Sequence, residues 1–233
     1  MKTISLPDFD ERSGKIEFII LHATAYDLQT AVETYKQNKV SAHYLIDTQG
    51  KIYRLVDEAK RAWHAGVSYW KSQENLNGSS IGIELLNATL GQTPFTKKQI
   101  WVLMRLCQAL KKKYHISKKN ILGHFDVAPL RKADPGKAFP FAYLARHGLG
   151  LWYNKKNAEK VQIDDEKVLL EGIGYDVCDM KAAKVAFCRH FLPESIGDVL
   201  LTDALLKPAE CPINVGMEDY LTVLKAVYFA FNK

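Results

Sequence analysis

The fold is decided by one stretch, Ile121-Leu-Gly-His-Phe-Asp-Val-Ala-Pro-Leu-Arg-Lys-Ala-Asp-Pro-Gly136. It begins as a short apolar strand, passes a Gly-His pair and closes on Asp-Pro-Gly, a combination typical of a turn. His124 and Asp134 are both side chains that can bind a metal ion. Because the residue before a proline is usually extended, Lys132 and Asp134 are predicted to project to the same side.

A second segment supplies the third candidate ligand. Ile16 to Thr24 is a nearly continuous apolar run of strand length that contains His22 close to its end. This pattern is typical of a buried central strand. His22, His124 and Asp134 together would make a His/His/carboxylate set with a fourth position free for water, which is the arrangement of a catalytic zinc site. Zinc is the metal that these ligand types favour.

Five segments carry a resemblance to a known family. In chain order they are LHAT, SAHYLID, WHAG, IGIELLN and GHFDVAPLRKADPG, within about residues 15 to 147. In this order they resemble the zinc-dependent N-acetylmuramoyl-L-alanine amidases of type 2, the AmpD/AmiD group related to peptidoglycan recognition proteins. The resemblance implies a mixed central sheet flanked by helices. It also implies hydrolysis of the amide between N-acetylmuramic acid, in its ordinary or 1,6-anhydro form, and L-alanine.

Two further residues are candidates for the chemistry. Glu84 interrupts the apolar run Ile81 to Leu86, and a carboxylate is rarely buried in a strand without a partner or a task. The hypothesis is that Glu84 takes a proton from the attacking water and passes it to the leaving nitrogen. Lys132 is predicted to stabilise the negative charge of the tetrahedral intermediate. The resemblance implies the same two roles, and the alternatives are a structural ion pair for Glu84 and a solvated cation for Lys132.

Three residues in the family motifs are candidates for binding substrate. His43 and His64 could contact sugar or peptide, or could be hydrogen-bonded supports of the metal ligands. Trp63 suits stacking on a sugar ring, although a tryptophan can equally serve packing. The other histidines, His115, His147 and His190, lie in helical or linker contexts and are interpreted as structural.

The periodicity predicts an α/β (α+β) catalytic unit over residues 1–150. Asp27 is predicted to cap a short helix, and Thr96 with Gln99 forms a capping box at the start of a helix that runs to Tyr114. A hairpin is predicted from residues 41–47 and 51–56, and a buried strand at 80–86. Residues 151–163 are predicted to be a linker.

The last part of the chain, 164–233, is predicted to be a small all-α domain of three helices at 164–172, 180–191 and 217–231. Its phrases Gly174-Tyr-Asp-Val and Ala186-Phe-Cys-Arg-His-Phe191 resemble the peptidoglycan-binding domain attached to AmiD-type amidases. The stretch 192–216 matches no motif.

Composition and charge exclude several classes of protein. The 233 residues are 47% hydrophobic and 25% charged, as in a globular chain. Residues 1–159 hold 24 basic and 14 acidic side chains, whereas 160–233 hold 8 and 12, which supports a two-part chain. The lysine runs 111–113 and 118–119 flank a predicted helix end, and no nucleic-acid motif accompanies them. No nucleic-acid partner is therefore expected. The resemblance implies a peptidoglycan or muropeptide substrate, and a monomer is expected.

Cysteines and the chain start bear on the compartment. Of the four cysteines, Cys107 fits a helix core, while a Cys178–Cys211 or Cys188–Cys211 disulfide remains open if the compartment is oxidising. No apolar run reaches the length of a transmembrane helix, and the first residues carry no apolar leader. A wall-binding second part favours the periplasm or cell envelope, and the missing leader favours the cytoplasm.

Two functions from different classes remain at this point. The first is an amidase, and the second is a recognition module that binds peptidoglycan without cutting it. Asp134 favours the enzyme, because a protein that only binds has no need for a complete set of metal ligands.

Overall fold

The computed structural model describes residues 1–197 and 208–233. Ten strands are found in this part of the chain: β1 Lys2–Thr3, β2 Phe9–Glu11, β3 Phe18–Thr24, β4 Tyr44–Ile46, β5 Ile52–Arg54, β6 Lys60–Ala62, β7 Tyr69–Trp70, β8 Gln73–Glu74, β9 Ser80–Leu86 and β10 Ile121–Gly123. Its α-helices are α1 Leu28–Gln37, α2 Lys97–Tyr114, α3 His124–Val127, α4 Phe141–Arg146, α5 Glu166–Ile173, α6 Met180–Phe191 and α7 Met217–Asn232.

Six strands form the central sheet in the order β1-β5-β4-β9-β3-β10, and the other four form two antiparallel ribbons, β2 with β6 and β7 with β8. The central strand β3 pairs in parallel with β9 on one side and β10 on the other, while β4 and β5 form the antiparallel hairpin. The mixed α/β fold class is therefore confirmed. Every residue of β3 is buried, which explains why its sequence is an apolar run rather than an alternation.

The parallel pairing brings the candidate residues to one edge of the sheet. His22 in β3 lies directly opposite Glu84 in β9. Strand β10 ends at Gly123, and His124 follows as the first residue of α3. Since parallel strands end at the same edge, residues far apart in the chain meet there.

The helix starts follow their predicted caps. The Asp27 carboxylate accepts a hydrogen bond from the Thr30 N–H at 3.0 Å, and Thr96 with Gln99 forms the reciprocal capping box of α2. Each such cap contributes about 1 kcal/mol to helix stability. Helix α1 covers one face of the sheet through residues such as Ala31, and α2 covers the other through residues such as Leu103.

The three C-terminal helices occur where they were predicted, as α5, α6 and α7. Their apolar side chains join those of the sheet in one cluster, in which Trp70 of β7 stacks edge-on against Tyr175 at 4.9 Å between ring centroids. The predicted linker contains a 3-10 helix, Lys155–Lys160, with Ala158 buried. The division into domains at residues 150 and 164 stays a prediction. Of the stretch 192–216, residues 198–207 lie outside the described residues.

The structure also bears on disulfide bonds and on membrane-spanning helices. All four cysteines are free, so neither disulfide considered above is formed. Cys107 is fully buried in α2, as its helical position predicted. Among the described residues, no helix has the length and apolar character needed to cross a bilayer.

Candidate metal centre and catalytic cleft

A cleft of about 440 Å³ lies at the carboxyl edge of the sheet. It is lined by all five residues predicted to bind metal or carry out chemistry: His22, Glu84, His124, Lys132 and Asp134. Lys132 and Asp134 both line this cleft. The topology thus brings together side chains from three separate segments.

The three candidate ligands meet at one point. His22 Nδ1 lies 2.9 Å from His124 Nδ1 and 3.4 Å from Asp134 Oδ2, and His124 Nδ1 lies 3.1 Å from that same oxygen. In a tetrahedral zinc site with bonds of about 2.0–2.1 Å, the ligand atoms are about 3.3 Å apart. The three donor atoms therefore fit around one ion of this size.

The contact made by His124 Nε2 bears on which ring nitrogen can bind a metal ion. His124 Nε2 lies 3.3 Å from the carbonyl oxygen of Ala65, which can only accept a hydrogen bond. With Nε2 donating to this carbonyl, as it must when Nδ1 binds a metal ion, Nδ1 presents a lone pair toward His22 and Asp134. Lone pairs that face each other repel unless a cation lies between them, so this arrangement suits a metal ion.

Burial sets the charge state of the cluster. It lowers the pKa of His22 to about 4, and the nearby His124 adds to this effect. Burial alone would raise the pKa of Asp134, but His124 and His22 more than offset it and hold that pKa well below its usual value. A neutral imidazole and an ionised carboxylate are the forms that bind metal.

The backbone around Asp134 is held against the rest of the site. Phe125 donates its N–H to the Asp134 carbonyl at 3.0 Å, and the Ala23 N–H reaches Asp134 Oδ2 at 3.4 Å. The following Gly136 has φ +83°, and a Cβ there would lie 2.3 Å from the carbonyl oxygen of Leu90. Only glycine allows this close approach, so the Asp-Pro-Gly turn is fixed by packing as well as by turn propensity.

Glu84 lies in the same cleft as a buried carboxyl group. Burial raises its pKa to about 8, Asp134 adds to the rise, and Lys132 opposes it. The buried hydroxyl of Tyr35 lies beside Glu84, and its interaction with the carboxylate opposes the rise of the Glu84 pKa. Tyr35 of α1 also lines the cleft, and it was not singled out from the sequence. The sequence carries no signal for this placement, since the side chain fits the helical pattern.

The three predicted substrate-binding residues differ in their surroundings. Trp63 lines the cleft, and its indole N–H donates to Asp10 Oδ2 at 2.8 Å. His43 is fully buried, with Nδ1 accepting from the Gly82 N–H at 3.0 Å and Nε2 3.1 Å from the Lys60 carbonyl. His64 reaches the cleft, but both of its ring nitrogens have hydrogen-bond partners.

His190 is buried away from this cleft, against Asp126. The interpretation of His190 as structural agrees with its surroundings. Asp126 was not singled out from the sequence, although it lies two residues after His124. Its side-chain partners, Tyr175 and His190, come from the C-terminal helical part, which no local pattern indicates.

Comparison with known proteins places the fold and the cleft in one family. The family model for N-acetylmuramoyl-L-alanine amidase matches residues 12–137. The chain is 34% identical over 209 residues to the N-acetylmuramoyl-L-alanine amidase AmiD of Escherichia coli, covering 77% of this chain and 76% of that protein. It is 44% identical over 104 residues to the 1,6-anhydro-N-acetylmuramyl-L-alanine amidase AmpD of Haemophilus influenzae, covering 44% of this chain and 55% of the relative.

Solved structures extend the match over the C-terminal helices. The crystal structure of AmpDH3 from Pseudomonas aeruginosa superposes with a TM-score of 0.78 at 28% identity, and both chains are covered completely. The E. coli AmiD structure, a complex with anhydro-N-acetylmuramic acid-L-Ala-D-γ-Glu-L-Lys, gives 0.73 at 28% identity over 94% of this chain and 96% of that one. The family model covers more than half of the chain, AmiD matches most of it, and the chain belongs to the N-acetylmuramoyl-L-alanine amidase family.

Proposed function

We propose that this protein is a zinc-dependent amidase that cleaves the bond between N-acetylmuramic acid and L-alanine in peptidoglycan or its fragments. The observation that carries the proposal is the convergence of His22 Nδ1, His124 Nδ1 and Asp134 Oδ2 within 3.4 Å of one another in an open cleft. Family membership supports the reaction, and the ligand chemistry supports the metal.

The proposed mechanism assigns a task to each side chain. A zinc ion bound by His22, His124 and Asp134 would polarise the substrate carbonyl and activate the attacking water. Glu84 accepts the proton of that water and later delivers it to the leaving nitrogen of L-alanine. Its burial raises its pKa in the metal-free protein, and a carboxyl group in such surroundings can both accept and release a proton.

Lys132 has a different task in this proposal. Its ammonium stabilises the oxyanion that forms when water adds to the carbonyl. It lies near enough to His22 and Glu84 to lower the pKa of both. A cation in this position favours the anionic intermediate over the neutral substrate, and it therefore acts on the chemical step.

The substrate class follows from the relatives. AmiD is crystallised with an anhydro-N-acetylmuramic acid peptide, and the AmpD relative is named for the 1,6-anhydro sugar. We infer that this chain also accepts such a muropeptide. Because the likeness to AmiD and AmpDH3 continues through the C-terminal helices, we propose that intact peptidoglycan in the cell envelope is a substrate too.

The experiment incubates the purified protein with anhydro-muropeptide and, separately, with intact peptidoglycan. Release of a peptide that begins with L-alanine, detected by mass spectrometry, is expected in both, and it should stop with a chelator and return when zinc is added. No release in the presence of zinc would overturn the amidase in favour of a recognition module. Release from the muropeptide alone would restrict the substrate to soluble fragments.

A further inference from the structure

A chain of hydrogen bonds leads from the outer nitrogen of His22 into the protein interior. His22 Nε2 lies 3.0 Å from His64 Nδ1, and His64 Nε2 lies 3.2 Å from Ser80 Oγ. Ser80 Oγ in turn lies 2.6 Å from the carbonyl oxygen of Leu76. All three side chains are buried. Solvent therefore does not compete for these hydrogen bonds.

The last acceptor in this series of hydrogen bonds determines which group donates and which accepts in each of them. The Leu76 carbonyl can only accept, so the Ser80 hydroxyl must donate to it and must accept from His64 Nε2–H. His64 Nδ1 then has a lone pair, which accepts from His22 Nε2–H. With its hydrogen on Nε2, His22 presents a bare Nδ1 to the candidate metal position.

The protein is also built to hold the His64 ring in place. A Cβ on Gly82 would lie 2.4 Å from His64 Cγ, so β9 has a glycine where the ring lies against it. The His64 N–H donates to Asn77 Oδ1 at 3.0 Å, and so the backbone of this residue is fixed as well.

We propose that His64 and Ser80 are positioning residues that hold His22 in the tautomer and orientation required for metal binding. This inference rests on the proposed zinc site. It assigns His64 to support of a ligand and not to contact with substrate. Hydrogen-bonded partners of ligating histidines generally change metal affinity by about 10- to 100-fold when they are removed.

Two variants of His64 separate the hydrogen bond from the bulk of the ring. In His64→Asn, the side-chain oxygen can occupy the position of Nδ1 and accept from His22, whereas His64→Leu removes the acceptor. Zinc affinity is measured by competition with a chromophoric chelator on the full chain. We expect His64→Leu to bind zinc about 10- to 100-fold more weakly. His64→Asn should stay within about threefold of the parent, since the acceptor is kept.

Ser80→Ala tests the last hydrogen bonds of the series, with Ser68→Ala as its control. Ser68 is a buried serine of the same region, and its Oγ accepts from the Leu76 N–H at 3.0 Å without contacting His64. Loss of one neutral hydrogen bond should weaken zinc binding about fivefold in Ser80→Ala. Ser68→Ala should leave it unchanged.

The tautomer itself is read from the ¹⁵N chemical shifts of the His22 ring in the metal-free protein. The parent should show the hydrogen on Nε2, and Ser80→Ala should show a mixture of both tautomers. An unchanged zinc affinity and an unchanged tautomer in both His64→Leu and Ser80→Ala would overturn the inference. If His64→Leu does not fold, the contrast between Ser80→Ala and Ser68→Ala decides alone.

Failure of this inference is distinct from failure of the proposed function. If the parent binds zinc and releases peptide while the variants match it, only the positioning role is wrong. If the parent binds no zinc, the metal site itself is wrong.

Discussion

Two contacts between a histidine and a carboxylate lie close together, since His124 of the first and Asp126 of the second are two residues apart in the chain. They differ in the hydrogen-bond partners of their carboxylates. In the cleft, His124 Nδ1 approaches Asp134 Oδ2 at 3.1 Å. Behind it, His190 Nδ1 approaches Asp126 Oδ2 at 2.8 Å. By distance alone the second contact is the better ion pair.

The hydrogen bonds around each carboxylate distinguish the two contacts. Asp126 Oδ2 accepts from the Gly123 N–H at 2.8 Å, and Asp126 Oδ1 accepts from the Tyr175 hydroxyl at 2.7 Å, so hydrogens occupy its lone pairs. In the cleft, His124 Nε2 lies 3.3 Å from the Ala65 carbonyl, and with the hydrogen on that nitrogen the Nδ1 lone pair faces inward. Among the described residues, His22, His124 and Asp134 are the group whose donor atoms could share an ion. A filled cluster stabilises the fold, whereas a cluster of converging lone pairs can bind a cation.

Substitution of His124 and of His190 tests this contrast between a metal-binding and a structural cluster, and it has the largest expected effect. His124→Ala removes a metal ligand, so we expect loss of stoichiometric zinc and of amidase activity. His190→Asn, which keeps a donor near the position of Nδ1, should retain both. Zinc content by atomic absorption and peptide release by mass spectrometry provide the measurements. Normal zinc content in His124→Ala would mean that the two clusters have been interpreted the wrong way round.

Glu84→Gln sharpens the contrast inside the cleft, because Glu84 is proposed to move protons and not to bind metal. Gln has nearly the same shape but cannot accept and release the proton, so kcat should fall by about 10²- to 10⁴-fold. Zinc content should stay at that of the parent. Loss of zinc from this variant would show that Glu84 is a ligand.

The metal-free protein gives a pH test of the same residue. The pKa of Glu84 rises from 4.5 to about 8 on folding, so the folded state holds this proton more tightly than the unfolded state. The resulting stability is full below pH 4.5 and is lost as pH rises through 8, by about 5 kcal/mol in total. Glu84→Gln lacks this loss. In urea unfolding with a chelator present, the free energy of unfolding of the variant should therefore rise relative to that of the parent between pH 5 and 8. Parallel pH profiles would contradict the buried, protonated carboxyl group.

The residues of the cleft, one side of this contrast, were visible in the sequence. His22, Glu84 and His124 were predicted because each follows or interrupts a buried apolar strand, and parallel strands deliver such residues to one edge. Asp134 was predicted from its motif and turn. Their catalytic and metal-binding roles stay predictions until the experiments above are done.

The second cluster and the support of His22 were not predicted, for a physical reason. Asp126 obtains its side-chain partners from residues 49 and 64 positions away, across a contact that no local periodicity encodes. Similarly, His64 was left between two interpretations, because a sequence does not show which nitrogen carries a hydrogen. The position of that hydrogen depends on the Leu76 carbonyl, which ends the series of hydrogen bonds that passes through Ser80.

Tyr175→Phe gives the smallest expected effect and addresses the filled cluster directly. The change removes the hydroxyl that donates to Asp126 Oδ1 and leaves a buried acceptor without this partner, which should lower the free energy of unfolding by about 1–3 kcal/mol. Tyr153→Phe is the control, since its half-buried hydroxyl makes a longer hydrogen bond of 3.3 Å to the Phe191 carbonyl and should matter less. Zinc affinity should be the same in both variants, because Asp126 presents no lone pair to the metal position. A tenfold weaker zinc affinity in Tyr175→Phe would instead mean that the C-terminal helices tune the metal site through Asp126, and that the two clusters act as one.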